Sequence, residues 1–270
     1  MARILYISYD GLAEPLGQSQ VIQYLNKLAE EHEIHIISFE KPYDLNDHNK
    51  ISLLKKNLKT FSINWTPMRY HKWPSVIATL YDIFIGQIVA LWLTKKINVD
   101  IVHARSCIPA LMAVPVKKLF GKKLLFDIRG FWADERVDAE LWPKNSLIYK
   151  IVKILEKYLF KNADHIVTLT KSSVPHIKEF GYPKKLLNIS VIPTCTDLDR
   201  FKPLKNRPPS SSFIFGYVGS FGSAYILNKT LALFSYILEI KRQARMIIIN
   251  HNQHVLIHDS IVHSGLPIDR

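Results

Sequence analysis

Between Leu124 and Glu135 the chain reads LLFDIRGFWADE: an apolar run breaks into Asp127, Arg129, Gly130, Phe131, Trp132, Asp134 and Glu135. A short apolar run stopped by a glycine reads as a buried strand of a parallel sheet. Ligands of open parallel sheets sit beyond the carboxyl ends of the strands. Carboxylates, an arginine and two aromatics at such an end are therefore candidates for chemistry. The plain structural alternative is a polar loop holding one buried Arg–Asp pair. A second strand-like run, DIVHAR, ends in His103 and Arg105. A lone histidine there serves structure more often than catalysis. A third set is DGLAEPLGQ, where Gly11, Pro15 and Gly17 precede a helical pattern. Its glycines would let the backbone approach a phosphate or sugar, with Gln18 or Ser19 at the helix start, or they mark an ordinary turn. The loop is not GxGxxG, so dinucleotide binding has no support.

Other chemistries are poorly provided for. The tail carries His251, His254, His258 and His263, and His254 and His258 would share a helix face. No glutamate follows His254 as HExxH requires, and Asp259 is the nearby carboxylate, so no metal site is expected. Cys107 and Cys195 lie far apart and no GxSxG elbow exists, which leaves nucleophilic catalysis without a motif. Two cysteines give no disulfide framework and suit a reducing compartment. The opening MARILYISYD lacks the pattern of a signal peptide.

The elements that must position these residues alternate. Strands are expected at Arg3–Tyr9, Ile34–Phe39, Phe61–Trp65, Asp100–Arg105, from Leu124, at His165–Leu169 and at Ile189–Ile192. Helices are expected at Gln18–Glu31, in part of Tyr43–Lys59, and at Val76–Thr94, Ile108–Phe120 and Ser146–Asn162. A further helix, Ser172–Phe180, is expected to close at Gly181. This alternation predicts an α/β fold with a doubly wound parallel sheet. Val76–Thr94 is long and apolar enough to raise a membrane span, but Asp82, Gly86 and Gln87 interrupt it. A buried or partly membrane-facing helix is the expectation.

Composition changes after Phe201. Residues 202–212, KPLKNRPPSSS, hold three prolines and three serines, which is linker chemistry. The reading is a first domain over 1–201, a linker over 202–212, and a second sheet over 213–270 with strands at Phe213–Val218 and Arg245–Asn250. Its helices are expected at Asn228–Ile240 and Gln253–His263. Two strands make a sheet of little independent stability.

The net charge of +13 over 270 residues admits nucleic acid, an anionic membrane face or a phosphorylated substrate. Lysine pairs at 55–56, 95–96, 117–118, 122–123 and 184–185 are expected mostly near helix ends, where they complement the dipole. No nucleic-acid motif accompanies them, so no nucleic-acid partner is expected.

Taken in order, the motifs resemble glycosyltransferase family 4, the retaining GT-B type that uses nucleotide-activated sugars, and its bacterial polysaccharide-building members in particular. The resemblance rests on Tyr6–Gln20, DIVHARS, FDIRGFWADERVD, NADHIVTLT and above all VIPTCTDLDRF at Val191–Phe201, with FGYVGSFGSAY opening the second domain. It implies two Rossmann-like domains, the first taking the acceptor and the second the nucleotide sugar. Gly11, Gly17, Gln18, His103, Arg105, Asp127, Arg129, Asp134 and Glu135 would then border the acceptor. Arg129 stands where many relatives carry a histidine, Gly219, Ser220 and Gly222 would meet the donor diphosphate, and Ser220 replaces a common arginine. Tyr225 and Asn228 occupy the region of a usual lysine. No cofactor is implied, since the nucleotide sugar enters as co-substrate, and the expected partners are that sugar and a glycan or lipid-linked acceptor. The expected location is cytoplasmic, peripheral on an anionic inner membrane face. The resemblance implies a second domain longer by roughly a hundred residues, including the paired glutamates that engage the donor sugar. Two readings stay open: a sugar transferase, or a catalytically inactive remnant or acceptor-binding or membrane-surface module completed by a second polypeptide.

Overall fold

A computed structural model describes residues 1–179, 188–203, 212–222, 226–250 and 252–267. Outside them lie most of the expected linker (204–211), Gly181, Lys184, Lys185, Tyr225 and His251. The described chain begins with β1 (Arg3–Ser8), the short α1 (Pro15–Gly17), a π-helical turn (Gln18–Ile22) and α2 (Gln23–Leu28). It continues through β2 (Glu33–Glu40), α3 (Pro42–Asn46), α4 (His48–Thr60), β3 (Ile63–Arg69) and α5 (Ser75–Ile97). Next come β4 (Ile101–Arg105), α6 (Cys107–Phe120), β5 (Lys123–Asp127), α7 (Trp132–Asp138) and α8 (Leu147–Asn162). The series β6 (His165–Thr168), α9 (Ser173–Glu179) and β7 (Ile189–Val191) completes the first sheet.

Among the described residues these seven strands form one parallel sheet in the order β3-β2-β1-β4-β5-β6-β7. The order reverses between β1 and β4, which is the switch point of a doubly wound sheet. Helices cover both faces, so the central strand β1 is apolar on both sides, whereas the edge strand β3 exposes Asn64 and Arg69. Leu5 and Ile7 enter a core with Val102, Leu124, Phe126 and the inner sides of α5, α6 and α8. Ile4 and Tyr6 point the other way, to Leu12, Val21, Leu25 and Leu58. At the amino ends, Arg3 grips Asp100 through Nε (3.1 Å) and Nη2 (3.0 Å), which pins β1 beside β4.

Local chemistry sets several boundaries. Ser146 accepts from the Tyr149 N–H (3.3 Å) and starts α8. Gly121 ends α6 at φ 64°, in the left-handed region that its missing Cβ makes cheap. Pro115 lies inside α6. Lys95, Lys96, Lys117 and Lys118 do fall in last helical turns, whereas Lys55 and Lys56 lie in the middle of α4. Two expectations need correction. The helix drawn from Gln18 stops at Leu28 and begins with a π-turn, and the strand drawn at Phe61 begins at Ile63 and runs to Arg69.

The chain forms two compact units, Met1–Glu135 with Pro143–Phe201, and Arg136–Trp142 with Lys202–Arg270. In the second, β8 (Ile214–Val218) and β9 (Arg245–Ile249) pair in parallel, joined through α10 (Leu227–Ile240) and followed by α11 (His254–His263). Phe221, Leu227, Leu231 and Ile257 form its buried cluster.

Candidate functional site

Strand register sets Arg105 level with Ser8 on one side and with Asp127 on the other, at the carboxyl edge of the sheet and beside its switch point. The Arg105 side chain is 3% exposed. Its Nη2 donates to Gln20 Oε1 (3.1 Å), and its Nε lies 3.5 Å from Asp10 Oδ2. Arg129, in the loop after β5, donates to the same Gln20 oxygen (3.0 Å) and to Thr194 Oγ1 (3.2 Å). Asp127 stands among three cations or potential cations: 3.9 Å from Arg105 Nη1, 3.7 Å from Arg129 Nη1 and 3.8 Å from His103 Nε2. These separations exceed hydrogen-bond length. Arg105 Nη1, Asp127 Oδ1 and His103 Nε2 are all buried and make no hydrogen bond among the described residues. Each such group costs about 1–3 kcal/mol when left unsatisfied.

The electrostatics assign Asp127 a role. Burial alone would raise its carboxyl, but His103, Arg129 and Arg105 outweigh that and hold it below the usual carboxylate range. An ionised carboxylate with a lowered pKa is a weak base and a strong hydrogen-bond acceptor. The cluster can thus donate from fixed guanidinium groups and accept at Asp127, a combination suited to hydroxyl-bearing ligands. Tyr6 floors the site with its ring 4.5 Å from that of His103, and burial pushes its hydroxyl pKa up. Immediately after Arg105, Ser106 adopts φ 75° and ψ 177° while its N–H donates to the Asp127 carbonyl (2.8 Å). A non-glycine residue there stores about 1–3 kcal/mol of strain, a feature that concentrates at functional edges.

The glycine loop is built around a residue that its own sequence does not reveal. Glu40, fully buried at the end of β2, accepts from the N–H groups of Leu12 (2.8 Å) and Ala13 (3.0 Å) and from Ser38 Oγ (2.5 Å). A Cβ on Gly11 would stand 2.7 Å from Glu40 Oε2, and one on Gly17 would stand 2.2 Å from the Gly11 carbonyl. Both glycines thus have a packing reason: they let the loop fold onto Glu40 and onto itself. Gln18 lines an open groove of about 600 Å³ with Ser19, Gln20, Thr194, Cys195 and Asp197. The Cys195 N–H donates to Tyr24 Oη (2.8 Å), which moors the 192–201 segment against α2.

Asp134 and Glu135 lie on α7, which corrects the expectation of a loop after β5. Asp134 accepts from Tyr149 Oη (2.8 Å) and Lys153 Nζ (2.7 Å) and lines a separate groove with Phe131, His176 and Glu179. Glu135 folds back over Gly130, where a Cβ would stand 1.8 Å from its Oε1. In the second unit, Gly219 adopts φ 145° and donates its N–H to the Ile249 carbonyl (3.0 Å). The Ser220 carbonyl accepts from Tyr217 Oη (2.9 Å), and the Cβ position of Gly222 faces open space. Among the described residues no group of three His, Cys, Asp or Glu side chains is arranged to hold a metal ion.

Gln20, Asp10, Thr194 and Glu40 are the site residues that sequence reasoning missed. Gln20 reaches both arginines from a π-turn, a local change of helical period that no side-chain pattern announces.

The sequence pattern of Glycosyltransferase Family 4 matches residues 17–200, a span holding Gln18, Gln20, Arg105, Asp127, Arg129 and Thr194. The chain belongs to glycosyltransferase family 4. Sugar transfer in general is the chemistry of this family, and the GT-B fold is shared with solved structures of low sequence identity. Sucrose-phosphate synthase from Thermosynechococcus elongatus is similar over 99% of this chain and 70% of its own, at 12% identity and a TM-score of 0.67. HepE from Anabaena, solved with UDP and glucose, matches over 99% of this chain and 68% of its own, at 12% identity and a TM-score of 0.61. A glycosyltransferase from Rickettsia africae is 18% identical over 98% of this chain and 66% of its own, with a TM-score of 0.60. The chain of this family 4 member thus spans about two thirds of the length of these structures. No curated protein matches its sequence.

Proposed function

We propose that this family 4 member transfers a sugar from a nucleotide-sugar donor to a glycan or lipid-linked acceptor with retention of configuration. The observation that carries the reading is the family match over residues 17–200, whose span holds the Arg105–Gln20–Arg129–Asp127 cluster. The acceptor side is assigned to that cluster, with the Gln18–Thr194 groove beside it. The donor diphosphate is assigned to the turn Gly219–Gly222 on the second unit. The Anabaena neighbour, solved with UDP and glucose, supports a nucleotide sugar as the donor class.

In a front-face displacement, the bond from the sugar's anomeric carbon to the diphosphate breaks while a bond to the acceptor oxygen forms on the same face. The acceptor proton passes to the departing phosphate oxygen, so no protein base is required. Asp127, held ionised by its neighbours, orients the acceptor hydroxyl by accepting a hydrogen bond. Arg105 and Arg129 fix neighbouring hydroxyl or phosphate oxygens, and Gln20 keeps both guanidinium groups in place.

The test is donor binding and turnover by the full chain. Saturation-transfer NMR with UDP-, GDP- and ADP-sugars should identify one bound class, and release of the nucleoside diphosphate should then depend on added acceptor glycans. Arg129→Met should raise the acceptor KM by about 10- to 100-fold, from loss of one charge-assisted contact, with donor binding unchanged. A chain that binds acceptor glycans and none of the nucleotide sugars overturns the reading.

A further inference from the structure

The longest helix of the first unit leaves a continuous apolar face uncovered. Ile77, Tyr81, Phe84, Ile88 and Trp92 recur at intervals of three and four along α5 and form one stripe, 48–67% exposed, which Trp73 extends beyond the helix start at 86%. Neighbouring Val76 and Leu80 are as open, at 59% and 60%. Exposed large apolar residues scattered singly are ordinary, but a stripe along a 23-residue helix is not.

The opposite face is fixed. Ala78, Gly86, Ala90 and Leu93 are buried, and a Cβ on Gly86 would meet Met112 Sδ at 2.5 Å. Asp82, 1% exposed, accepts from Tyr9 Oη (2.8 Å) and from the His71 N–H (3.0 Å), and it faces His71 Nδ1 at 2.6 Å. A helix held this way cannot cross a bilayer, although its length and hydropathy alone would permit it. It can lie along one.

Charge decides what covers the stripe. Between Met68 and Ile97 the exposed ionic residues are Arg69 and Lys72 near one end of the helix and Lys95 and Lys96 at the other. The one carboxylate in that stretch is the buried Asp82. A second copy of the chain would set cations against cations whether the two helices ran parallel or antiparallel. An anionic bilayer complements both ends at once. Tryptophan and tyrosine suit the headgroup level, and the Lys96 ammonium already lies 4.5 Å from the Trp92 ring centroid. We infer that the exposed face of α5 docks the protein on an anionic lipid surface. The helix lies in the plane of the interface, its apolar stripe in the headgroup–acyl boundary and its terminal lysines against lipid phosphates.

The experiment is flotation of the full chain with vesicles of phosphatidylcholine alone or mixed with phosphatidylglycerol, which contain no sugar donor or acceptor. Its outcome is therefore independent of the transferase reading. Binding is expected to the mixed vesicles, weakened by high salt. It should drop by about tenfold or more in a variant carrying Ile77→Ser, Phe84→Ser and Trp92→Ser, and likewise in Lys95→Glu with Lys96→Glu. The unmodified protein gives a second measurement. Brominated lipid should quench its tryptophan fluorescence, and Trp73→Phe with Trp92→Phe should remove most of that quenching. Absence of flotation with either vesicle overturns the inference. So does flotation indifferent to both the serine and the glutamate variants, or a concentration-dependent dimer that the serine variant abolishes.

Discussion

The sharpest test of the reasoning is the coupling between Gly11 and Glu40. Glu40→Ala removes the acceptors of two buried N–H groups, on Leu12 and Ala13, and the partner of Ser38 Oγ. At about 1–3 kcal/mol for each stranded donor, the loss is about 2–6 kcal/mol. Gly11→Ala alone drives a methyl group to within 2.7 Å of Glu40 Oε2 and 3.2 Å of the Phe39 carbonyl. The carboxyl group is held by three partners and cannot swing aside, so overpacking should cost about 1–3 kcal/mol. In the double variant the carboxyl group is gone and only the Phe39 contact remains, so the second substitution should cost much less than it does alone. The expected coupling is about 1–2 kcal/mol, measured by a double-mutant cycle. Urea unfolding followed by tryptophan fluorescence suits this site, because Trp65 Nε1 donates to Ser38 Oγ (2.7 Å), itself a partner of Glu40. Effects that add to within about 0.5 kcal/mol would refute the claim that Gly11 is glycine to make room for Glu40.

Two further outcomes are expected. Burial, and then the charge of Lys96, lower the His35 imidazole to about 4 in the folded chain, so folding favours its neutral form. That contribution is complete above the ordinary pKa near 6.5 and is lost as pH falls toward about 4, by up to about 3 kcal/mol. His35→Gln should flatten the pH dependence of urea stability across this window, and an unchanged slope would remove His35 as its source. Burial also raises the Cys107 thiol to about 12, with Glu156 and Glu135 adding to the effect, while Cys195 is exposed. A disulfide reagent should therefore titrate one thiol in the native protein and two in denaturant. A native signal that disappears with Cys107→Ser would contradict the burial argument.

Much of the fold was legible because the determinants are local. Two-faced apolar runs such as RILYIS and EIHIISFE can only be strands buried on both sides, and their alternation with helical patterns leaves a parallel sheet as the solution. The motif order from Tyr6 to Phe201 pointed to the family that residues 17–200 match. The start of α8 at Ser146 was equally readable. The residues of LLFDIRGFWADE were less so. Asp127 and Arg129 do meet at the carboxyl edge, but Asp134 departs on α7 to Tyr149 and Lys153. Nothing in the spacing distinguishes a loop that stays at the strand end from one that begins a new helix after four residues.

The sequence by itself determined the sheet, its polarity and the edge where polar side chains gather, since hydrophobic period and turn chemistry act over a few residues. Only the tertiary structure decided which of those side chains meet. Gln20 lies 85 residues from Arg105 and 109 from Arg129, yet one amide oxygen serves both. The stripe on α5 was hidden for the same reason. A helix apolar on all sides shows no preferred face until packing buries Ala78, Gly86 and Ala90 and leaves Phe84 and Trp92 outside.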